Sequence, residues 1–252
     1  MADGLERLSL SDVQSLVYDV MSRIGASPEA ADGIAQIVRL AESSGLPEWG
    51  LERVPHLIEL VRTGLADPTA IADAEATAPA LFRIDARRGF ADAAITAWLP
   101  AFETSVRAHG IATVAVHNCA DIPSPVLHAT AIALRGLAAL ALPDQTGAGR
   151  AALILPAVSE TRPFLRCDLE GSDTAPWGAA LTALVADALP IKSVGEHPSG
   201  AARSISLIGI LPGPGANSIT RALTQRHSYS AVSLDLDDTI IQATLLERII
   251  NA

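Results

Sequence analysis

One turn in this chain gathers side chains that could do chemistry. Glu48, Trp49 and Arg53 fall in Pro47-Glu48-Trp49-Gly50-Leu51-Glu52-Arg53, where a helix ends, the chain turns at Gly and Pro, and a new helix begins. Such a turn presents unpaired backbone N–H groups and short-range polar side chains to whatever lies in front of it, so a small anion would dock there. Other nucleophiles and ligands are scarce. Lys192 is the single lysine, so lysine-dependent covalent chemistry has one candidate. Cys119 has no neighbouring base or helix start to make it a thiolate. His56, His109, His117 and His128 have no spacing that converges on a metal, and solvated or core histidines account for them.

Three helices must hold that turn. From Ser11, apolar residues at Val13, Leu16, Val17, Val20, Met21 and Ile24 mark one buried helical face, with Ser11 and Gln14 spaced as a capping box. Ser27-Pro28-Glu29 opens a second helix as N-cap, first position and first-turn acid. A third is expected over residues 51–63, closed by Gly64. Beyond it the pattern alternates: a strand over 80–85, a long Ala-rich helix over 90–109 despite Pro100, and a buried strand over 111–116. Residues 117–125 then read as a polar loop broken by prolines, followed by a helix over 126–135 and a strand over 137–142. Further strands are expected at Ala-Ala-Leu-Ile-Leu-Pro, Phe-Leu-Arg-Cys-Asp-Leu, 204–211 and 229–236, with helices over 177–189, 218–225 and the C-terminus. This alternation indicates an α/β protein. Residues 1–78 form an N-terminal helical layer and 79–252 a mixed α/β core, expected to pack as a single unit.

Composition excludes several classes. A net charge of −10 opposes binding to a phosphate backbone, so nucleic acid is not an expected partner. Mean hydropathy is +0.32, yet no apolar run approaches the roughly 20 residues that a membrane span needs. The first ten residues carry acids and no apolar segment of a secretory signal, so the cytoplasm is the expected location. Cys119 and Cys167 are too few for a disulfide framework.

From Gly25 to Leu142 the chain resembles the type 2 malate/L-lactate dehydrogenase family of NAD(P)-dependent oxidoreductases. The marks are Gly50-Leu51, Arg53, Pro55, Gly64, Pro68, Ile84-Asp85, Gly89, His109-Gly110-Ile111-Ala112, Val116, Asn118 and Gly136-Leu137. The resemblance implies that family's mixed sheet with a helical layer, a homodimer, and a substrate carboxylate held by Arg53 through a two-pronged guanidinium fork. The alternative for Arg53 is a surface ion pair with Glu52 or Glu59. Other family positions differ. The family's Ser-His-Gly reads Glu48-Trp49-Gly50, and an indole does not exchange protons near neutral pH. Its second histidine is replaced by Asp121 after Asn118-Cys119-Ala120, a Lys-Gly reads Trp177-Gly178, and the nucleotide-binding lobe between Asp144 and Trp177 is shortened.

These departures lead to an expected fold with a truncated nucleotide-binding lobe and to an expected function outside redox chemistry: a lyase, isomerase or cyclase of a small carboxylated metabolite in specialised biosynthesis. Glu48 and Asp121 would divide acid and base roles, while Arg53, Trp49, Asn118 and Trp177 would bind substrate. The plainer reading makes Glu48 a first-turn helix acid and Asp121 a turn former. No cofactor and no metal are expected. The alternatives are an NAD(P)-dependent oxidoreductase of 2-hydroxy or 2-keto acids or cyclic imines with a rearranged site, and a non-catalytic partner of an active paralogue.

Overall fold

The computed structural model describes residues 4–143, 152–159, 162–168, 203–211, 230–232 and 237–252. The chain enters through strand β1 (Leu5–Ser9), which pairs antiparallel with β10 (Asp238–Gln242). No local signal marks this ribbon, because each strand finds its partner at the far end of the chain. Since β1 keeps the backbone extended up to Ser9, that residue becomes the N-cap of α1 (Leu10–Arg23) and forms the capping box with Asp12. The box expected at Ser11 and Gln14 is therefore displaced toward the N-terminus. Helix α2 (Pro28–Ser43) starts as its Ser-Pro-Glu signal predicts, with the Ser27 hydroxyl accepting the Ala30 N–H.

Between α2 and α3 (Val54–Arg62) the chain makes two 3-10 turns, Pro47–Trp49 and Leu51–Arg53, the second where the third helix was expected to have begun already. Pro55 explains the delay: it lacks an N–H and restricts the residue before it, so it is accommodated only in the first turn. The three helices and the C-terminal α6 (Ala243–Ile250) share a core of Val13, Val17, Met21, Ile34, Val38, Val54, Leu57 and Ile249.

The second layer is a sheet of eight described strands: β2 (Asp73–Ala78), β3 (Leu81–Asp85), β4 (Ile111–Cys119), β5 (Ala138–Pro143), β6 (Ala152–Ser159), β7 (Arg162–Asp168), β8 (Arg203–Ile210) and β9 (Ser230–Val232). Their spatial order is β2-β3-β4-β8-β5-β6-β7-β9. Strands β3 and β4 are parallel and joined by α4 (Ala91–His109); the other pairs are antiparallel. Helices α4 and α5 (Pro125–Ala133) cover one face, burying Phe82, Ile84, Val114, Val116 and Leu207 against Ile95, Leu99, Phe102 and Ile132. Strand β4 corrects the sequence reading, because it continues through His117 and Asn118 to Cys119. Its backbone stays paired with Asp85 on one side and Arg203 on the other, and the prolines act only from Pro123. The helices expected over 177–189 and 218–225 lie outside the described residues. Among the described residues, no helix is long and apolar enough to cross a membrane.

The layers meet where α2 crosses α4. A Cβ on Gly33 would stand 2.7 Å from Ala93 Cα and 3.2 Å from the Asp92 carbonyl oxygen, both backbone atoms that cannot rotate away. Gly33→Ala is therefore expected to cost about 1–3 kcal/mol of stability by overpacking. Urea unfolding measures it, and an unchanged midpoint would show that the helices part without penalty.

Candidate functional site

The turn is shaped by Glu42, at the end of α2. Its buried carboxylate accepts the Leu51 N–H at 2.7 Å and the Thr239 hydroxyl at 2.6 Å, so one acid fixes both the turn and the last strand. Gly50 makes room for it, since a Cβ there would lie 2.7 Å from Glu42 Cδ. With Leu51 pinned, the second 3-10 turn directs Arg53 inward. Arg53 is 5% exposed.

There its guanidinium meets two carboxylates from the second layer. Nη1 donates to Asp92 Oδ2 at 2.9 Å, Nε donates to Asp121 Oδ2 at 2.8 Å, and Nη2 lies 2.7 Å from the same Asp121 oxygen. Asp92 sits in the first turn of α4, where the helix dipole favours negative charge. Asp121 follows β4, and its carbonyl accepts the Ala91 N–H. On the other side of Asp92, His128 of α5 brings Nε2 to 3.6 Å from Oδ1. Among the described residues, Arg53 Nη2, Asp92 Oδ1 and both His128 ring nitrogens are buried with no hydrogen-bond partner.

Burial dominates the electrostatics. It pushes Asp92 up to about 6 against the pull of Arg53, and the Asp121 charge adds to the rise. His128 is driven down to about 3 by burial, with Arg53 acting in the same direction. Burial also works against the charge on Arg53, but Asp92 and Asp121 more than offset it and its pKa is raised. Cys119 is pushed far above the ordinary thiol range by burial and by Asp92, Asp121 and Asp85, so it is not a nucleophile.

These shifts have opposite signs in stability. Between its unfolded value and about 6 Asp92 binds more protons when folded, so its contribution falls as pH rises. Between about 3 and its unfolded value His128 binds fewer protons when folded, so its contribution rises with pH. The two slopes oppose one another over the shared window. Asp92→Asn is thus expected to make stability climb more steeply from pH 4 to 6 than in the natural chain, and His128→Gln to flatten or reverse the climb. Denaturant midpoints across that range test both, and parallel profiles for all three proteins would refute the assignment.

The structure places the expected site residues apart. Glu48 is exposed on the first 3-10 turn, whereas Asp121 is buried and ion-paired. The pair expected to divide acid and base work is thus split between solvent and interior. Arg53, expected either to grip a substrate carboxylate or to pair with Glu52 or Glu59 at the surface, is instead engaged inside by Asp92 and Asp121. Trp49 is half-buried and packs on Ile37, Ala41 and Leu127. Asn118, at φ +58, donates Nδ2 to Asp85 Oδ1 at 2.9 Å and so ties the ends of β3 and β4 together. Trp177 lies outside the described residues. Sequence reasoning missed Asp92, Glu42 and the part played by His128. The available signal was an acid and a histidine in helices with apolar residues on every side, which forces both to be buried.

Two clefts border these elements. One, of about 550 Å³, lies between the turn and the C-terminal β10–α6 segment and is walled by Glu42, Leu51, Glu52, Ile241, Leu245 and Arg248 among others. The other, of about 420 Å³, is an open polar cleft on β2–β4, lined by Asp73, Glu75, Arg83, Asp85 and His117. In it Arg83 Nε donates to His117 Nε2 at 3.0 Å, which leaves the His117 proton on Nδ1. Neither cleft includes Glu48 or Asp121 in its walls.

Comparison with known proteins follows the fold. Residues 8–158 match the model of the malate/L-lactate dehydrogenase family. Among curated relatives, Delta(1)-pyrroline-2-carboxylate reductase of Ancylobacter novellus is 34% identical over 113 residues, covering 45% of this chain and 33% of the relative. Delta(1)-pyrroline-2-carboxylate reductase 1 of Burkholderia ambifaria is 27% identical over 135 residues, covering 54% of this chain and 40% of the relative. This chain therefore spans well under half the length of the curated relatives it matches. In three dimensions it superposes on delta1-piperideine-2-carboxylate reductase of Pseudomonas syringae pv. tomato with a TM-score of 0.76 at 19% identity, covering 98% of this chain and 99% of that one. A dehydrogenase of Sinorhizobium meliloti gives 0.75 at 16% identity, with 99% and 98% covered. The expected mixed α/β fold of this family is thereby shown. The expectation of a lyase, isomerase or cyclase is corrected: the relatives are reductases, and the replaced residues and the shortened lobe were too narrow a basis for a change of reaction class.

Proposed function

The chain belongs to the malate/L-lactate dehydrogenase family, and on that premise we propose that it is an NAD(P)-dependent oxidoreductase of small carboxylated substrates, in the class of cyclic imines and 2-keto acids, with a rearranged site. The relationship to pyrroline-2-carboxylate reductases, over 113 and 135 residues, carries this reading. The expectation of an enzyme without cofactor finds no support in those relatives. The two described clefts do not themselves fit a dinucleotide, however. The cleft on β2–β4 sets three carboxylates against Arg83, a charge balance that repels a pyrophosphate, and the cleft by the turn sets Glu42 and Glu52 against Arg248.

Reduction of a C=N or C=O bond needs a hydride and a proton. A bound nicotinamide would supply the hydride. Glu48 is the exposed acid of the turn and the candidate proton donor in this reading, with Trp49 beside it, although neither lines a described cleft. The test is oxidation of NADPH and NADH in the presence of pyrroline-2-carboxylate, piperideine-2-carboxylate and simple 2-keto acids, together with thermal unfolding with each nucleotide. A nucleotide held far above its dissociation constant must raise the unfolding temperature. No rise with either, and no oxidation with any substrate, would sink the reading.

The internal pairing of Arg53 favours one second reading, a non-catalytic partner of an active paralogue. A stable hetero-complex with that paralogue in size-exclusion chromatography, with neither nucleotide bound, is its signature.

A further inference from the structure

The open polar cleft of about 420 Å³ on β2–β4 carries charges that the chain leaves unanswered. Glu75 stands directly across from Arg83 in the β2–β3 register, where an ion pair is the ordinary result. Arg83 turns the other way instead, and its Nε donates to His117 Nε2 at 3.0 Å. Among the described residues, Nη1 and Nη2 of Arg83 have no hydrogen-bond or ion-pair partner, and neither has the Glu75 carboxylate. Asp73 is answered by Arg87 at 2.7 Å, whereas Asp85 accepts only from uncharged donors, the Asn118 amide and the Arg87 N–H. His117, in the wall of the cleft, is 8% exposed, and its Nδ1–H also finds no acceptor among the described residues. Burial holds His117 below its ordinary pKa against the pull of Asp85, so at neutral pH it is an uncharged donor.

We propose that this cleft is a binding site for a diamino acid, with the ligand carboxylate held by Arg83 and His117 and its two ammonium groups by Glu75 and Asp85. The unanswered charges are one positive, on Arg83, and two negative, on Glu75 and Asp85. That set is the complement of one carboxylate and two ammonium groups. A diamine would leave the guanidinium unanswered, and a dicarboxylate would meet two like charges. The free Nη1 and Nη2 of Arg83 offer a carboxylate two parallel donors, and the bond from Nε to His117 holds the fork in place before a ligand arrives. The cleft also lies within the range of about 300–1,000 Å³ usual for small-molecule pockets. This site stands on the sheet, apart from the turn, and does not depend on the oxidoreductase reading.

The probe is L-lysine, titrated calorimetrically into the full chain at neutral pH and low ionic strength, without nucleotide. Norleucine lacks the second ammonium group and cadaverine lacks the carboxylate. Lysine is expected to bind about tenfold more tightly than either, the worth of one charge-assisted hydrogen bond. Arg83→Gln is expected to bring lysine down to the level of cadaverine. Glu75→Gln, at an exposed position on β2, is expected to weaken lysine about threefold, and it carries the test if circular dichroism shows the Arg83 variant unfolded. No binding of lysine, an analogue that matches it, or an unchanged lysine affinity in a folded variant overturns the proposal. Because no nucleotide and no turnover enter the measurement, its outcome is separate from that of the oxidoreductase assay.

Discussion

Arg53→Ala is expected to lower the free energy of unfolding by about 3–5 kcal/mol, the cost of leaving buried charge without its partner. Asp92 and Asp121 approach the same guanidinium from different elements. His128 is held neutral by burial and cannot replace it. Without the pull of Arg53, the Asp92 carboxyl of the variant takes up a proton more readily still. The folded state would then bind more protons than the unfolded chain, so the loss must grow as pH rises. Denaturant unfolding at pH 5 and pH 8 reads both the size and the sign. A loss below about 1 kcal/mol at pH 8, as for an exposed pair, would mean that water reaches the cluster.

Truncating Phe90 has an effect of similar size from a different cause. Phe90 is 2% exposed, packs in the core of the helical layer, and is the N-cap residue of α4. Its backbone forms a parallel bridge with Asp121, so the ring holds up the same corner that carries the charge cluster. Phe90→Ala is expected to cost about 3–5 kcal/mol through lost burial and the remaining cavity, whereas Phe90→Leu, nearer in volume, should stay below about 1.5 kcal/mol. Urea midpoints for the two variants separate cavity formation from a general intolerance of change. Equal losses would count against a cavity.

How much of this was legible beforehand depended on the range of the interactions. Ser27-Pro28-Glu29 declared the start of α2 because a cap, a proline and a first-turn acid act within one turn of backbone. The alternation of Phe82 and Ile84 with Leu81 and Arg83 declared β3 for the same reason, since side-chain direction along a strand is a local property. The family marks also lie in short runs, and they identified the fold although the reaction class drawn from the replaced residues was mistaken. Strands β1 and β10 were silent because a ribbon formed between the chain's two ends leaves no mark on either.

The sequence by itself determined the helices among the described residues, most of the strands, the family and the presence of an arginine on the turn after α2. Tertiary structure alone decided what that arginine holds. Its partners are 39 and 68 residues away, on elements whose packing brings carboxylates into a dry interior, and an ion pair is set by distance in space and by loss of water, neither of which is written in local spacing.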